Sequence, residues 1–119
     1  MESVYADAVA QYEAGAYDKA TDLFCHLSEE FPLRVEVWKG LAACYQMRTC
    51  YREALLAWGM AAVLDRNDPV AHFHAAECLL AKGEVLEAKK AIRIGLGLPC
   101  TEELLNQMVC LKEVIDRAT

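Results

Sequence analysis

The sequence predicts an all-α fold, a solenoid of three helix–turn–helix repeats with a C-terminal capping helix. First, a shift of 34 residues aligns alanines at two columns without a gap. Second, the same shift aligns bulky residues at two more columns. Third, apolar residues recur at spacings of three and four, as on one face of a helix. The four columns are Ala8, Ala42 and Ala76; Ala20, Ala54 and Ala88; Tyr17, Tyr51 and Val85; and Phe24, Trp58 and Ile92.

A period of this length is typical of the tetratricopeptide repeat, a pair of helices about 34 residues long. Large residues that face small ones at fixed positions let two helices approach closely, which explains why these columns recur while the surface varies. With 119 residues the chain has room for one domain. We expect a single domain over residues 1–119, with repeats at about 1–34, 35–68 and 69–100 and a capping helix at about 101–117.

Glycine and proline mark the breaks between the predicted helices. The first repeat breaks at Gly15-Ala16 and ends at Pro32, which lacks the amide that a further helical turn needs. The second breaks at Arg48-Thr49-Cys50, where no glycine defines the turn. It ends at Asn67-Asp68-Pro69, which offers the next helix a cap and a first-turn proline.

The third repeat and the last helix carry their own signals. The repeat breaks at Gly83, and Gly95 and Gly97 lie in its second helix at a cost of about 1 kcal/mol each relative to alanine. We therefore expect that helix to fray early or to accept a close neighbour. Thr101 is placed to cap the last helix, whose apolar stripe would cover the open face of the final hairpin. The stripe comprises Leu104, Leu105, Met108, Leu111, Val114 and Ile115.

Composition argues against several classes of function. The net charge is −6, and no basic stripe is available for a phosphate backbone, so nucleic acid is excluded as a partner. No stretch approaches the roughly 18 apolar residues of a membrane span. The start, Met1-Glu2-Ser3, lacks the basic flank and apolar run of a signal peptide, so we expect a cytoplasmic protein that does not insert into membranes.

The six cysteines and three histidines do not predict a metal or cofactor site. No Cys-x-x-Cys occurs, and the cysteines are interpreted as reduced packing residues. His72 and His74 are two apart on a predicted helix, where side chains diverge by roughly 200° and cannot share an ion. The chain also lacks a glycine-rich phosphate loop, a nucleophile signature and His-Glu-x-x-His. We expect no enzymatic activity and no cofactor.

The concave face of the predicted solenoid is the candidate binding surface. Positions 2, 5, 9, 12 and 13 of each repeat point into it, and they are mostly aromatic and aliphatic here. A carboxylate clamp, which needs lysine, asparagine and arginine at set positions of this face, is absent. Those positions hold Tyr5, Val9, Ala43, Val70 and His74. The face suits an extended peptide with spaced apolar side chains, although the aromatics could serve only to pack the repeats together.

Three strings resemble the class II chaperones of bacterial type III secretion, which hold the two translocator proteins. The third repeat of that family is similar to residues 72–80, His-Phe-His-Ala-Ala-Glu-Cys-Leu-Leu, with Lys-Gly-Glu at 82–84. Its first repeat is similar to Tyr5-Ala6-x-Ala8 through Tyr17-Asp18-Lys19-Ala20, and its second to Leu41-Ala42-Ala43-Cys44 with Gln46. The resemblance covers roughly residues 4–98.

The resemblance implies a cytoplasmic, non-enzymatic bacterial chaperone. Its groove would hold a Pro/Val-x-Leu-x-x-Pro-like segment near a translocator's amino terminus and keep that membrane-active protein soluble until secretion. Tyr5, Tyr12 and Tyr17 match groove tyrosines of the family, and Val9 stands where an aromatic residue is common. The predicted groove residues are Tyr5, Val9, Tyr12, Tyr17, Ala43, Gln46, Met47, Phe73, Glu77 and Leu80.

The sequence does not specify the oligomeric state of the protein or the protein that it binds. Members of that family usually carry a further helix ahead of the first repeat, often part of a dimer contact, and this sequence starts almost at the repeat. A homodimer is therefore neither predicted nor excluded. The alternatives are a chaperone of a needle-type subunit, bound as a helix in the groove, or a scaffold that joins two folded proteins through its convex or acidic surface.

Overall fold

Residues 1–118 are described by a computed structural model and form seven α-helices without a strand. The predicted all-α class is therefore confirmed. Consecutive helices pack against each other, and α7 covers both helices of the last pair. The helices are α1 (Glu2–Glu13), α2 (Tyr17–Glu30), α3 (Val35–Met47), α4 (Tyr51–Leu64), α5 (Pro69–Ala81), α6 (Val85–Leu96) and α7 (Glu102–Arg117).

The small residues of the repeat columns form the closest helix contacts. All six column alanines, from Ala8 to Ala88, are fully buried. The bulky column that faces them, Phe24, Trp58 and Ile92, is at most 4 % exposed. Alanine on one helix and a large side chain on its neighbour let the helices interlock, which is the packing that the period predicts.

The turns between paired helices share one backbone conformation. Gly15, Thr49 and Gly83 are spaced 34 residues apart, and all three have positive φ angles, 79°, 59° and 81°. Glycine adopts this region readily, whereas a β-branched residue is strained there. Thr49 thus lies where the first and third repeats have glycine, so the second turn cannot be identified from a glycine in the sequence.

Side chains at the starts of α5 and α7 satisfy free backbone amides. Asp68 Oδ1 accepts a hydrogen bond from Val70 N at 2.9 Å, and Thr101 Oγ1 accepts one from Leu104 N at 3.2 Å. Asp68 also pairs with Lys39 of α3. This ion pair links α3 to the start of α5 and so helps to fix the angle between two helices that line the groove.

The predicted close neighbour of α6 is α7. Gly95 is buried, and a β-carbon built there would lie 3.1 Å from Met108 Sδ and 3.4 Å from His72 Cβ. Because Gly95 has no side chain, both α5 and α7 can pack closely against α6 at this position. Met108 and Ile115 are fully buried in the C-terminal cluster with Ala76, Ala88 and Ile92, in keeping with the capping role expected of the last helix.

Candidate peptide-binding groove

Two adjacent cavities lie along α1, α3 and α5 and share Tyr12 and Ala43. The first, here called the apolar cavity, has a volume of about 150 Å³. The second, here called the polar cavity, has a volume of about 280 Å³. The apolar cavity is lined by Tyr5, Val9, Tyr12, Phe24, Gly40 and Ala43. The polar cavity is lined by Tyr12, Ala43, Gln46, Met47, Trp58, His74 and Glu77.

The apolar cavity depends on a missing side chain. A β-carbon at Gly40 would lie 2.4 Å from two atoms of the Phe24 ring, far inside contact distance. Phe24 is 2 % exposed and meets Tyr5 edge to face, with ring centroids 5.9 Å apart and planes at 76°. Glycine at this position thus lets the Phe24 ring lie directly against α3 and form the floor of the cavity between α1 and α3.

The polar cavity is organised by a chain of hydrogen bonds. Trp58 Nε1 donates to Gln46 Oε1 at 3.0 Å, and Gln46 Nε2 donates to Glu77 Oε1 at 3.1 Å. An indole N–H can only donate, so this contact fixes which end of the Gln46 amide is oxygen. His74 Nδ1 lies 2.6 Å from the same Glu77 oxygen and donates to it, because an ionised carboxylate only accepts. The His74 ring stacks on Trp58 with centroids 4.7 Å apart.

These contacts keep Glu77 ionised although it is half-buried. Burial raises the pKa of Glu77, but the hydrogen bond and charge of His74 and the hydrogen bond from Gln46 outweigh it and hold the pKa below its ordinary 4.5. The tyrosines behave in the opposite sense. Burial raises the pKa of Tyr5, helped by the Glu36 carboxylate, and burial also raises the pKa of Tyr12. Both hydroxyls therefore remain protonated donors at neutral pH.

A third opening lies at the tips of the first two turns. It measures about 410 Å³ and is lined by Tyr17, Met47 and Arg48, among others. Tyr17 meets Tyr12 edge to face with centroids 5.3 Å apart, so it supports the wall of the groove from α2. Arg48 Nε pairs with Asp18 Oδ1 at 2.9 Å across the two turns.

The structure brings eight of the ten predicted groove residues to these three openings. Tyr5 and Val9 line the apolar cavity, and Gln46 and Glu77 line the polar cavity. Tyr12 and Ala43 line both cavities. Met47 lines the polar cavity and the third opening, and Tyr17 lines the third opening. Within residues 1–118, Phe73 and Leu80 line none of the three openings. Both pack against the C-terminal hydrophobic cluster instead. Their assignment to the groove stays a prediction.

Sequence reasoning did not assign four lining residues to the groove. In the sequence, Phe24 and Trp58 belong to the repeat columns, and nothing about Gly40 indicates that it lines a groove. In the sequence, His74 is recognisable only as one of two histidines that cannot share a metal ion. The spacing of three between His74 and Glu77 places both on one helical face and could have indicated the contact. Nothing local indicates the Trp58 partner, which lies 12 residues away on another helix.

Among the described residues, the metal-ligating side chains and the two buried thiols form no reactive site. No group of three His, Cys, Asp or Glu side chains in residues 1–118 is placed to hold a metal ion. Burial raises the pKa of the Cys44 thiol to about 11 and that of Cys78 to about 12, so both stay protonated and unreactive. None of the seven helices is long and apolar enough to cross a bilayer.

The fold defines a class of helical-repeat proteins, and the groove is a candidate binding surface of that class. The chain is 34 % identical over all 119 residues to low calcium response locus protein H of Yersinia pestis, of which it covers 67 %. It superposes with a TM-score of 0.93 on the Yersinia enterocolitica chaperone SycD in complex with a peptide of the translocator YopD, at 32 % identity and covering 98 % of this chain and 92 % of that one.

A second solved relative is PcrH in complex with the chaperone binding region of PopD, with a TM-score of 0.92 and 30 % identity over 98 % of this chain and 90 % of that one. No protein-family model matches the sequence. The chain belongs to the type III secretion translocator chaperones. The recognition made from the three repeat strings is therefore confirmed.

Proposed function

We propose that the groove binds an extended apolar segment near the amino terminus of a translocator and keeps that protein soluble and competent for secretion. The observation that carries this proposal is the pair of adjoining cavities between α1, α3 and α5. An extended chain presents alternate side chains to one face, so successive cavities can each receive one. SycD and PcrH hold translocator peptides, and their folds superpose on this chain throughout.

The proposed action is binding without catalysis, in the bacterial cytoplasm. A translocator must later enter a membrane, so its apolar segments aggregate or insert early if they stay exposed. Covering one such segment removes apolar surface from water and suppresses both outcomes. A groove with protonated tyrosine hydroxyls at its wall and a buried ring as its floor combines apolar contact with hydrogen bonding to the segment's backbone.

Filling the groove is the sharpest test. Ala43 lines both cavities, so Ala43→Phe should occupy the space that the segment needs. We expect affinity for overlapping amino-terminal peptides of a translocator that the unmodified chain binds to fall at least about tenfold, and that translocator, when co-produced, to leave the soluble fraction. Fluorescence anisotropy measures the first effect and fractionation measures the second.

A matched substitution controls for the added ring. Ala10 is exposed on α1 and lines neither cavity, so Ala10→Phe should bind as the unmodified chain does. Should Ala43→Phe lose its helical circular dichroism, Tyr5→Ala with Tyr12→Ala removes the cavity wall without overpacking. Unchanged peptide affinity in a folded groove variant would contradict the proposal. Phe73→Ala, measured in parallel, tests whether the binding surface extends beyond these cavities to α5.

A further inference from the structure

The two oxygens of the Glu77 carboxylate differ, because one accepts hydrogen bonds from neighbouring side chains and the other is available to a ligand. Gln46 and His74 both donate to Oε1, at 3.1 and 2.6 Å. Within residues 1–118, Oε2 accepts no hydrogen bond. The side chain is 36 % exposed and lines the polar cavity, so the open oxygen is accessible to a bound molecule. The two donors on Oε1 hold the carboxylate in one orientation before anything binds.

Glu77 is the one acidic side chain among the described residues that line this cavity, and His74 beside it is already bonded to Oε1. Of the described residues, no lysine or arginine lines the cavity. Lys39, the one cation among the predicted concave positions, is already paired with Asp68. With a net charge of −6, the molecule therefore favours a cationic group over a neutral or anionic one at this end of the groove.

We infer that the polar cavity is a subsite for a lysine or arginine side chain of the bound segment, held by Glu77 Oε2. This rests on the proposed function and specifies which segments the groove selects. Tyr12 and Trp58 would flank the alkyl part of the side chain, and aromatic faces also attract cations. The cavity of about 280 Å³ is far larger than the roughly 30 Å³ of a liquid water molecule and has room for a long side chain.

The chemistry explains why an apolar side chain is rejected here. Covering Glu77 with a group that cannot donate would desolvate an ionised carboxylate without compensation. A charge-assisted hydrogen bond is roughly twice as strong as a neutral one, so an ammonium or guanidinium group is preferred to an amide. The preference for a basic side chain therefore comes largely from the desolvation cost of covering Glu77 with a side chain that cannot donate a hydrogen bond.

Because the two cavities adjoin, they also specify the spacing between the apolar and the basic residue of the bound segment. Side chains two residues apart on an extended segment point the same way and are separated by roughly 6.6 Å. The apolar and polar cavities share Tyr12 and Ala43 and so adjoin directly. A segment that places an apolar side chain in the first cavity should therefore present its basic residue two positions away.

A peptide panel tests the subsite. The parent is a labelled peptide containing Pro-Ala-Leu-Ala-Ala-Pro, with lysine, glutamine, leucine or glutamate placed singly at each alanine and at the residues flanking the six. At one position, lysine should bind at least about tenfold more tightly than glutamate or leucine. The preference should shrink between about 50 mM and 500 mM salt, since exposed charge pairs are screened. Fluorescence anisotropy gives the affinities.

Glu77→Gln is the matching variant of the protein. It keeps an oxygen for Gln46 and His74 but removes the charge, so the lysine preference should fall below about threefold. Glu84→Gln is the control, because Glu84 pairs with Lys82 at a turn and lines neither cavity. A panel that binds with no preference for lysine overturns this inference alone, as does a preference that persists in folded Glu77→Gln. If no peptide binds the unmodified chain, the groove proposal fails as well.

Discussion

The two cavities of the groove are built by different physics. The apolar cavity exists because Gly40 lacks a side chain and the Phe24 ring fills the space left on α3. The polar cavity exists because Trp58, Gln46, His74 and Glu77 are joined by directional contacts. Apolar packing tolerates any side chain of suitable size, whereas a hydrogen-bonded carboxylate penalises the wrong one. One groove can thus combine permissive and selective recognition.

The largest expected effect comes from closing the apolar cavity. Gly40→Ala places a methyl group where the Phe24 ring lies, so ring and helix must separate. Overpacking of this kind costs about 1 to 3 kcal/mol, and the better helix propensity of alanine offsets only about 1 kcal/mol of it. We expect a net loss of up to about 2 kcal/mol in the free energy of unfolding by urea denaturation, with the polar cavity's lysine preference unchanged.

Two further variants make that result specific. Gly59 on α4 has no neighbouring atom within 4 Å among the described residues, so Gly59→Ala should stabilise the protein by up to about 1 kcal/mol. Adding Phe24→Leu to Gly40→Ala should recover part of the loss, because the smaller side chain leaves room for the methyl group. Equal effects of the two glycine substitutions would mean that the ring contact does not hold the cavity open.

The next effect in size removes one hydrogen bond from the polar cavity. Trp58→Phe keeps a ring against His74 but removes the donor to Gln46 Oε1. We expect the free energy of unfolding to fall by about 1 kcal/mol, since a partly buried amide oxygen loses its partner. Peptide affinity for lysine at the polar cavity should weaken because Gln46 no longer orients Glu77. Retention of both stability and preference would show that the chain of contacts is not needed.

The sequence predicted the helices and packing columns but only part of the groove. Periodicity is repeated three times, so Ala8, Ala42 and Ala76 could be assigned to one buried position from sequence alone. Thr49 adopts a glycine-like backbone conformation that its residue type does not indicate. The contact between Gln46 and Trp58 joins two helices with different roles in the repeat. Such contacts depend on the angle between helices, which residue spacing along one helix does not specify.

The smallest predicted effect is a change in pH dependence. The folded state holds the pKa of Glu77 below its ordinary 4.5, so its contribution is present above that pH and is lost as pH falls toward the folded pKa. Glu77→Gln should therefore flatten the decline in urea midpoint as the pH falls below the ordinary pKa of a glutamate. The pKa of Asp68 is also lowered, because burial raises it less than the hydrogen bonds from Lys39 and the Val70 amide and the charge of Lys39 together lower it, so some acid sensitivity should remain. An unchanged decline in the variant would mean that His74 and Gln46 do not stabilise the charged carboxylate. Glu77 would then not be held as an oriented anion before a ligand binds.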